Sequence, residues 1–235
     1  MLPSLPANGL ALVIGASGAV GGALLDRLRE DEGLAGVVGL SRSGTSPLDL
    51  TSEATMSEIA RQIAERGDSL RVVIDATGFL HGDGFTPEKS WRQLDPAHMA
   101  KAFAVNTIGP ALLMKHFLPL LPRAGKSVFA TLSAKVGSIG DNHLGGWYSY
   151  RASKAALNQI VRTAAIELKR RQPEAICVAL HPGTVESPLS APFGKSGLDV
   201  QSPATAAERL ISVIDTLAPT SSGGFFDYRG TALPW

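Results

Sequence analysis

The sequence predicts an α/β fold in which one doubly wound parallel sheet carries helices on both faces. Three observations predict it. Short apolar runs alternate with longer amphipathic segments along the chain. The apolar runs are continuous instead of alternating with polar residues, as expected of strands that are covered on both faces. The amphipathic segments begin at recognisable capping residues, so strand and helix alternate and the crossovers between parallel strands are right-handed.

Six apolar runs are the candidate strands. In chain order they are LALVI (10–14), VVGL (37–40), RVVIDA (71–76), SVFATL (127–132), AICVAL (175–180) and GFFDY (224–228). The segment Ser187–Ser202 is rich in glycine, proline and serine, and we interpret it as a loop at one edge of the sheet. We therefore expect the chain to form a single domain, residues 1–235.

Three of the helices have ends that can be read from the sequence. Each begins at a side chain suited to accept a hydrogen bond from the first helical turn, and two have proline directly after that residue. The expected caps and last residues are Thr51 or Ser52 to Arg66, Asp95 to Phe117, and Ser202 to Leu217.

Composition and charge argue against several classes of protein. Hydrophobic residues make up 44% of the chain and charged residues 18%, which suits a large core and argues against disorder. Lysine plus arginine (22) nearly balances aspartate plus glutamate (21), which argues against a nucleic-acid-binding face. The sequence has no membrane-length apolar run, no second cysteine besides Cys177 and no metal-ligand spacing among its histidines, and its first residues are not expected to act as a signal peptide. We expect a cytoplasmic protein without a metal.

A glycine-rich turn follows the first candidate strand. The sequence GASGAVGG places Gly15, Gly18 and Gly21 between that strand and an amphipathic helix. At such a turn, free backbone N–H groups and the positive end of the helix dipole bind phosphate, and glycine allows close approach. A tight packing turn is the alternative. The position after the first strand favours a dinucleotide and a Rossmann-type fold.

The end of the second candidate strand predicts which dinucleotide binds. A fold that binds NAD usually ends this strand with an acidic residue that holds the ribose hydroxyls. Here Ser41, Arg42 and Ser43 follow the strand, and Arg42 is suited to face a 2′-phosphate. We therefore expect NADP in preference to NAD. Asp49 is a candidate partner for the adenine amino group or, alternatively, a cap of the next helix.

Tyr150 and Lys154 lie four residues apart in YSYRASKAALNQIV, a segment with helical periodicity. Residues at i and i+4 share a face, and an ammonium near a phenol lowers the pKa of the phenol from about 10. Such a tyrosine gives a proton to a carbonyl oxygen or takes one from an alcohol. The alternative is a chance pair on a solvated helix. The dinucleotide turn in the same chain favours the catalytic interpretation.

Together these motifs resemble the short-chain dehydrogenase/reductase family over nearly the whole chain. The matching segments are GASGAVG (15–21), DATG (75–78), VNTIGP (105–110), the pair Tyr150 and Lys154, and HPGTVES (181–187). The tail SGGFFDYRGTALPW and the stretch LSAKVGSIGDN are similar to the branch that contains C-factor-like proteins and small carbonyl reductases. The resemblance implies NAD(P) binding and reversible hydride transfer between carbonyl and alcohol.

The resemblance also implies roles for individual residues. Tyr150 would be the acid/base, and Lys154 would hold the nicotinamide ribose and lower the pKa of Tyr150. Asn106 would position a water that refills the proton. The implied contacts with the cofactor are Gly15, Ser17, Gly18, Ala19, Val20, Gly21, Ser41, Arg42, Asp49, Leu50, Ala76, Thr77, Gly78, Tyr150, Lys154, Pro182, Gly183, Val185 and Ser187.

The residue that orients the substrate is ambiguous in this sequence. Ser133 follows the fourth candidate strand, whereas Ala134 stands nearer the usual register of the family's serine. Ser138 lies 12 residues before Tyr150, a more familiar distance. We choose Ser133, because a hydroxyl just beyond a strand points into the cleft at the carboxyl end of the sheet. Ser138, or neither serine, is the alternative.

The chain also departs from the family pattern at Asp75 and Thr77, where asparagine and alanine are usual.

The leading hypothesis is an NADPH-linked reductase of small ketones or aldehydes. A homodimer or homotetramer is expected, because the helices Met99–Phe117 and Tyr150–Lys169 carry alanine-rich faces that permit close contact between subunits. A dinucleotide-binding sensor or signalling protein with little turnover is the alternative. A nucleotide-sugar epimerase or dehydratase also fits the glycine spacing, but the short segment after Gly183 argues against it.

Overall fold

Strands and helices alternate along the chain in the computed structural model, which describes residues 1–44, 47–193, 197 and 199–235. The strands are β1 (Gly9–Ile14), β2 (Leu34–Leu40), β3 (Leu70–Asp75), β4 (Ser127–Leu132), β5 (Ala175–His181), β6 (Thr184–Val185), β7 (Val200–Gln201) and β8 (Phe225–Asp227). The α-helices are α1 (Ala19–Arg29), α2 (Glu53–Glu65), α3 (Pro96–Phe103), α4 (Gly109–Phe117), α5 (Tyr148–Leu168) and α6 (Pro203–Thr216).

The predicted strands form one six-stranded sheet in the order β2-β1-β3-β4-β5-β8, and every neighbouring pair is parallel. The predicted doubly wound parallel sheet is therefore confirmed. The strand order reverses at β1, which lies between β2 and β3. In such sheets ligands bind in the crevice outside the carboxyl ends of the strands at the reversal point. Ile14, at the end of β1, pairs with Leu40 on one side and Asp75 on the other.

Helices cover both faces of the sheet. Along β1, Leu10, Leu12 and Ile14 pack in a core with residues of α2, α4 and α5. The alternate residues Ala11 and Val13 pack on the opposite face with residues of α1 and α6. Side chains of a strand point alternately to the two faces of its sheet, so a strand buried on both faces is mostly apolar.

The predicted helix ends are largely confirmed. Asp95 accepts a hydrogen bond from His98 N at 2.8 Å, and Ser202 accepts one from Thr205 N at 3.1 Å. Ser52 precedes α2 without such a bond from its side chain. The helix expected to run from Pro96 to Phe117 is interrupted by a π-helical turn at Ala104–Ile108. Such turns are frequent at functional sites, and this one contains Asn106.

The segment expected to be a loop, Ser187–Ser202, ends in strand β7, which pairs in parallel with β6. Residues 194–196 and 198 of this predicted loop lie outside the described residues. Among the helices in the described ranges, none combines the length and apolar character needed to cross a membrane.

Candidate active site

The turn after β1 is shaped by its glycines. Gly15 has a φ of 83°, and the N–H groups of Gly15 and Ala16 donate to Leu40 O at 2.9 and 3.0 Å. Gly21 packs directly under the turn, where an added Cβ would lie 2.2 Å from Gly15 O. The turn therefore requires glycine at both positions, and it is anchored to the end of β2.

This turn fits the pyrophosphate of a dinucleotide. Ser17 and Gly18 are exposed on its outer side, and α1 begins at Ala19. Its first turn contains no acidic residue, and within the described residues no side chain caps the helix. Backbone N–H groups at such a helix start favour an anion.

The residues after β2 border the same crevice. Arg42 is exposed, and Ser41 is half-buried. The carboxylate of Asp49 accepts hydrogen bonds from Thr51 N at 2.8 Å and Thr51 Oγ1 at 2.7 Å. These bonds lower the pKa of Asp49, and the charge of Arg42 lowers it further. Asp49 thus closes a turn before α2 instead of capping that helix, whose N-cap position is Ser52, and Leu50 beside it is buried.

The end of β3 carries a buried carboxylate. Asp75 accepts hydrogen bonds from Thr77 N at 3.1 Å, Thr77 Oγ1 at 2.5 Å and Thr131 Oγ1 at 2.7 Å. Burial raises the pKa of Asp75, whereas the threonine hydroxyls and the charge of Lys154 lower it. The two threonines supply the donors that a buried carboxylate needs. The departures from the family pattern at Asp75 and Thr77 therefore compensate each other, and Ala76 lies between them, half-buried.

The side chains of Lys154 and Asn106 both lie close to Gly78, at the carboxyl edge of the sheet. A Cβ added to Gly78 would lie 3.8 Å from both Lys154 Nζ and Asn106 Oδ1. Lys154 is buried, and its Nζ donates to Leu132 O at 2.7 Å. Gly78 itself is exposed. The ammonium and the amide therefore flank a point that solvent, or a ligand, can reach.

The side chain of Asn106 is held by protein groups. Its Oδ1 accepts from Phe79 N at 2.7 Å, and its Nδ2 donates to Phe79 O at 2.8 Å and to Ser153 Oγ at 3.0 Å. These bonds join the π-helical turn to the segment after β3 and to α5. The amide of Asn106 therefore fixes the Gly78–Phe79 turn beside Lys154.

Burial controls the proton affinities of the predicted catalytic pair. It raises the pKa of Tyr150 to about 12. It lowers the pKa of Lys154 to about 8, although the charge of Asp75 opposes this shift. The expectation that the pKa of Tyr150 lies below its usual value of about 10 is wrong for this structure. The physical reason is that desolvation of the phenol disfavours the phenolate, while the Lys154 ammonium is bonded to Leu132 O.

The ring of Tyr150 is half-buried against Trp147, in an edge-to-face contact with 6.2 Å between ring centroids. Among the residues that the structure describes, no group forms a hydrogen bond with the Tyr150 hydroxyl. Tyr150 and Lys154 share a face of α5 at i and i+4. The hydroxyl is therefore available to a substrate.

The two candidate serines are buried and engaged with other groups. Ser133 Oγ donates to Asn158 Oδ1 at 2.7 Å, which ties the end of β4 to α5. Ser138 Oγ accepts from Asp141 N at 3.1 Å. Ala134, which lies between them in sequence, is half-buried. Ser133 was expected to orient a substrate, but in this structure its hydroxyl donates to Asn158 instead.

The turn after β5 is held by residues that sequence reasoning missed. Gly183 has a φ of 80°, and a Cβ there would lie 2.4 Å from Gln201 Nε2 and 2.8 Å from the Tyr228 ring. The Gln201 side chain donates to Pro182 O. Gln201 stands in no recognisable motif, and the tail that contains Tyr228 carries no signal for this packing.

The backbone carbonyl of Val185, also predicted to contact the cofactor, accepts from Ser190 Oγ at 2.5 Å and from Ser187 Oγ at 3.4 Å. These bonds fold the segment after β6 into a tight turn. The predicted cofactor contacts after β5 therefore lie on one hydrogen-bonded segment, from Pro182 to Ser187.

The chain matches the protein-family model described as Enoyl-(Acyl carrier protein) reductase over residues 18–215. It is 40% identical over 144 residues to C-signal of Myxococcus xanthus, an alignment that covers 60% of this chain and 81% of that protein. It is 33% identical over 189 residues to 1-hydroxy-2-glutathionyl-2-methyl-3-butene dehydrogenase of Rhodococcus sp. (strain AD45), covering 80% of this chain and 78% of that protein. The crystal structure of NADPH-bound carbonyl reductase from chicken fatty liver has a TM-score of 0.84 and 25% identity, and the match covers 98% of this chain and 100% of that one.

Proposed function

The chain belongs to the short-chain dehydrogenase/reductase family, and from this premise we propose that it uses NADPH to reduce a small ketone or aldehyde, with Tyr150 as the proton donor. As a family member it is an oxidoreductase that acts on CH–OH or C=O groups with NAD(P). The observation that carries the proposal is that Lys154 and Asn106 both lie close to Gly78. Lys154 is also on the face of α5 that bears Tyr150.

The residues proposed to hold the cofactor line the crevice at the carboxyl ends of the strands. The turn from Gly15 to Gly21 binds the pyrophosphate, and Arg42 with Ser41 binds the 2′-phosphate. The segments Ala76–Gly78 and Pro182–Ser187 border the nicotinamide half. When bound, the nicotinamide supplies the hydride. Every other part of the chemistry falls to side chains of this chain.

The proton comes from Tyr150. With a pKa near 12, the phenol stays protonated at neutral pH and serves as an acid towards a carbonyl oxygen. Lys154, with a pKa near 8, is mostly charged at pH 7 and stabilises the phenolate that is left behind. A water beside Asn106 that returns the proton stays a prediction.

Arg42→Ala is expected to weaken NADPH binding by ~10- to 100-fold and to leave NADH binding within about twofold, because an arginine–phosphate contact is charge-assisted and NADH lacks the 2′-phosphate. Titration calorimetry with both dinucleotides measures the two affinities. Arg29→Ala, which removes an exposed arginine at the far end of α1, is the matched control. Equal losses for the two dinucleotides after Arg42→Ala would reject the preference for NADP.

The pH dependence of carbonyl reduction is expected to follow Lys154. Below its pKa of about 8 the ammonium is charged and stabilises the phenolate, and above that pH it becomes neutral. Tyr150 remains protonated up to about pH 12, so its own titration does not change kcat/KM in the neutral range. The profile of kcat/KM should therefore be flat near neutral pH and fall as the pH rises through about 8. A rate that increases across this range would contradict the assignment.

A homodimer or homotetramer is proposed to form through α4 and α5. A groove of about 600 Å³ lies between these helices, lined in part by Met114, Leu118, Ile160 and Ala164. Ile166, on α5, is 52% exposed. Sedimentation velocity at micromolar concentration should show an oligomer for the wild type and a shift towards monomer for Ile166→Asp. A wild-type protein that sediments as a monomer alone would rule the proposal out.

The alternative function is that of a dinucleotide-binding signalling protein with little turnover. The 40% identity to C-signal favours it. The Tyr150 hydroxyl, which has no hydrogen-bond partner among the described residues, favours catalysis instead, since a binding protein has no need of an acid. Product analysis separates the two: an enzyme converts many equivalents of carbonyl compound to alcohol, whereas a signalling protein binds NADPH without consuming it.

A further inference from the structure

Trp147, directly before α5, has an unusual backbone conformation. Its φ of 53° and ψ of 44° lie in the left-handed region, and Gly145 and Gly146 before it also have positive φ values. This region is unfavourable for a residue with a large side chain, and such residues cluster at functional sites. Two bonds hold it: Trp147 N donates to Glu88 O at 2.5 Å, and Trp147 O accepts from Arg151 N at 2.8 Å. The fold thus fixes the indole next to Tyr150.

The indole begins a row of aromatic side chains that leads away from Tyr150. The ring centroids of Trp147 and Phe193 are 4.9 Å apart, and those of Phe193 and His81 are 5.5 Å apart. We call Trp147, Phe193 and His81 the aromatic wall. Its members come from three separate segments: the start of α5, the segment after β6 and the segment after β3.

His81 joins two of these segments across the cleft. Its Nε2 lies 3.2 Å from Pro188 O and 3.1 Å from Leu189 O, so one hydrogen bond from the ring is shared between the two carbonyls. This bond links the segment after β3 to the segment that carries Phe193. The aromatic wall is therefore held from both sides.

Core packing alone does not explain the aromatic wall. All three of its side chains are half-buried, whereas large core side chains such as Phe117 and Phe129 are fully buried. The wall presents ring surface to solvent beside the only proton donor that the proposed mechanism uses. Aromatic rings attract other rings in stacked or edge-to-face arrangements beyond the effect of buried area.

Resting on the proposed function, we propose that the aromatic wall is a subsite for a flat apolar group bonded to the carbonyl carbon of the substrate. Tyr150 gives its proton to the carbonyl oxygen, so the substituents on the carbonyl carbon lie next to that phenol. Trp147 contacts the Tyr150 ring and is the nearest part of the wall. The preferred substrates are thus aryl aldehydes and aryl ketones, and Trp147 and Phe193 determine this specificity.

The test compares benzaldehyde with cyclohexanecarbaldehyde, which carry rings of the same size. Intrinsic reactivity differs between them, so the informative quantity is the change in the ratio of their kcat/KM values on mutation. Trp147→Leu and Phe193→Leu should each lower the ratio of benzaldehyde to cyclohexanecarbaldehyde about fivefold, mainly through KM. Trp91→Leu is the matched control, because Trp91 is 67% exposed and lies outside the wall. It should leave the ratio unchanged.

A binding measurement keeps the test independent of turnover. Calorimetry on the NADPH complex should show tighter binding of benzamide than of cyclohexanecarboxamide. In each leucine variant the ratio of these two affinities should fall about fivefold. Ratios unchanged in both variants, by kinetics and by binding, would overturn the aromatic subsite. Loss of the binding preference in a protein that reduces neither aldehyde would support the subsite and reject the reductase.

Discussion

Tyr150→Phe is expected to lower kcat for carbonyl reduction by ~10³-fold, the usual contribution of a positioned general acid. The substitution removes one hydroxyl and keeps the ring that packs against Trp147. Among the described residues the hydroxyl has no hydrogen-bond partner to lose, so the free energy of unfolding should change by less than ~1 kcal/mol. Single-turnover measurements with saturating NADPH isolate the chemical step.

Tyr148→Phe is the matched control, because it removes the same atom two residues earlier in the same helix. Residues two apart on a helix face different directions, so Tyr148 does not share the face of Lys154. Its activity should stay within about twofold of the wild type. A Tyr150→Phe protein that kept more than about a tenth of the wild-type rate would remove Tyr150 from the mechanism.

Gly21→Ala should abolish tight NADPH binding and destabilise the fold by ~1–3 kcal/mol, as overpacking does. The added Cβ would lie 2.2 Å from Gly15 O, a backbone atom that cannot move without opening the turn. That turn presents the N–H groups proposed to bind the pyrophosphate, so its distortion should raise the Kd for NADPH at least ~100-fold. Urea unfolding and dinucleotide titration give the two quantities.

Gly22→Ala provides the comparison for Gly21→Ala. A Cβ at Gly22 would lie 3.3 Å from Ala16 O, a contact that a shift of a few tenths of an ångström relieves. Alanine also has the higher helix propensity, by ~1 kcal/mol, which offsets the residual strain. Wild-type affinity for NADPH in Gly21→Ala would mean that the turn after β1 is not the phosphate site.

The sheet was predictable because its physical requirements are local in sequence. A strand covered on both faces is mostly apolar, and all six such runs became strands of the central sheet. The caps Asp95 and Ser202 were predictable because one side chain satisfies the N–H of a residue three positions later. Strands β6 and β7 escaped prediction, since two residues each are too few to show a pattern.

The site was less predictable, because its details depend on contacts between distant segments. The partner of Ser133 is Asn158, on another element, and no sequence pattern signals that bond. The direction of the Tyr150 pKa shift depends on how deeply the phenol is buried, which the spacing to Lys154 does not reveal. The left-handed conformation of Trp147 is equally hidden, because only the two glycines before it mark the turn.

The most direct test of the central claim counts product molecules. Purified protein with excess NADPH and an aryl aldehyde should yield one alcohol per NADPH consumed over many turnovers, and Tyr150→Phe should still bind NADPH yet yield almost no alcohol. Wild-type protein that holds NADPH but forms no alcohol, or a Tyr150→Phe protein that forms it as fast as the wild type, would contradict the account.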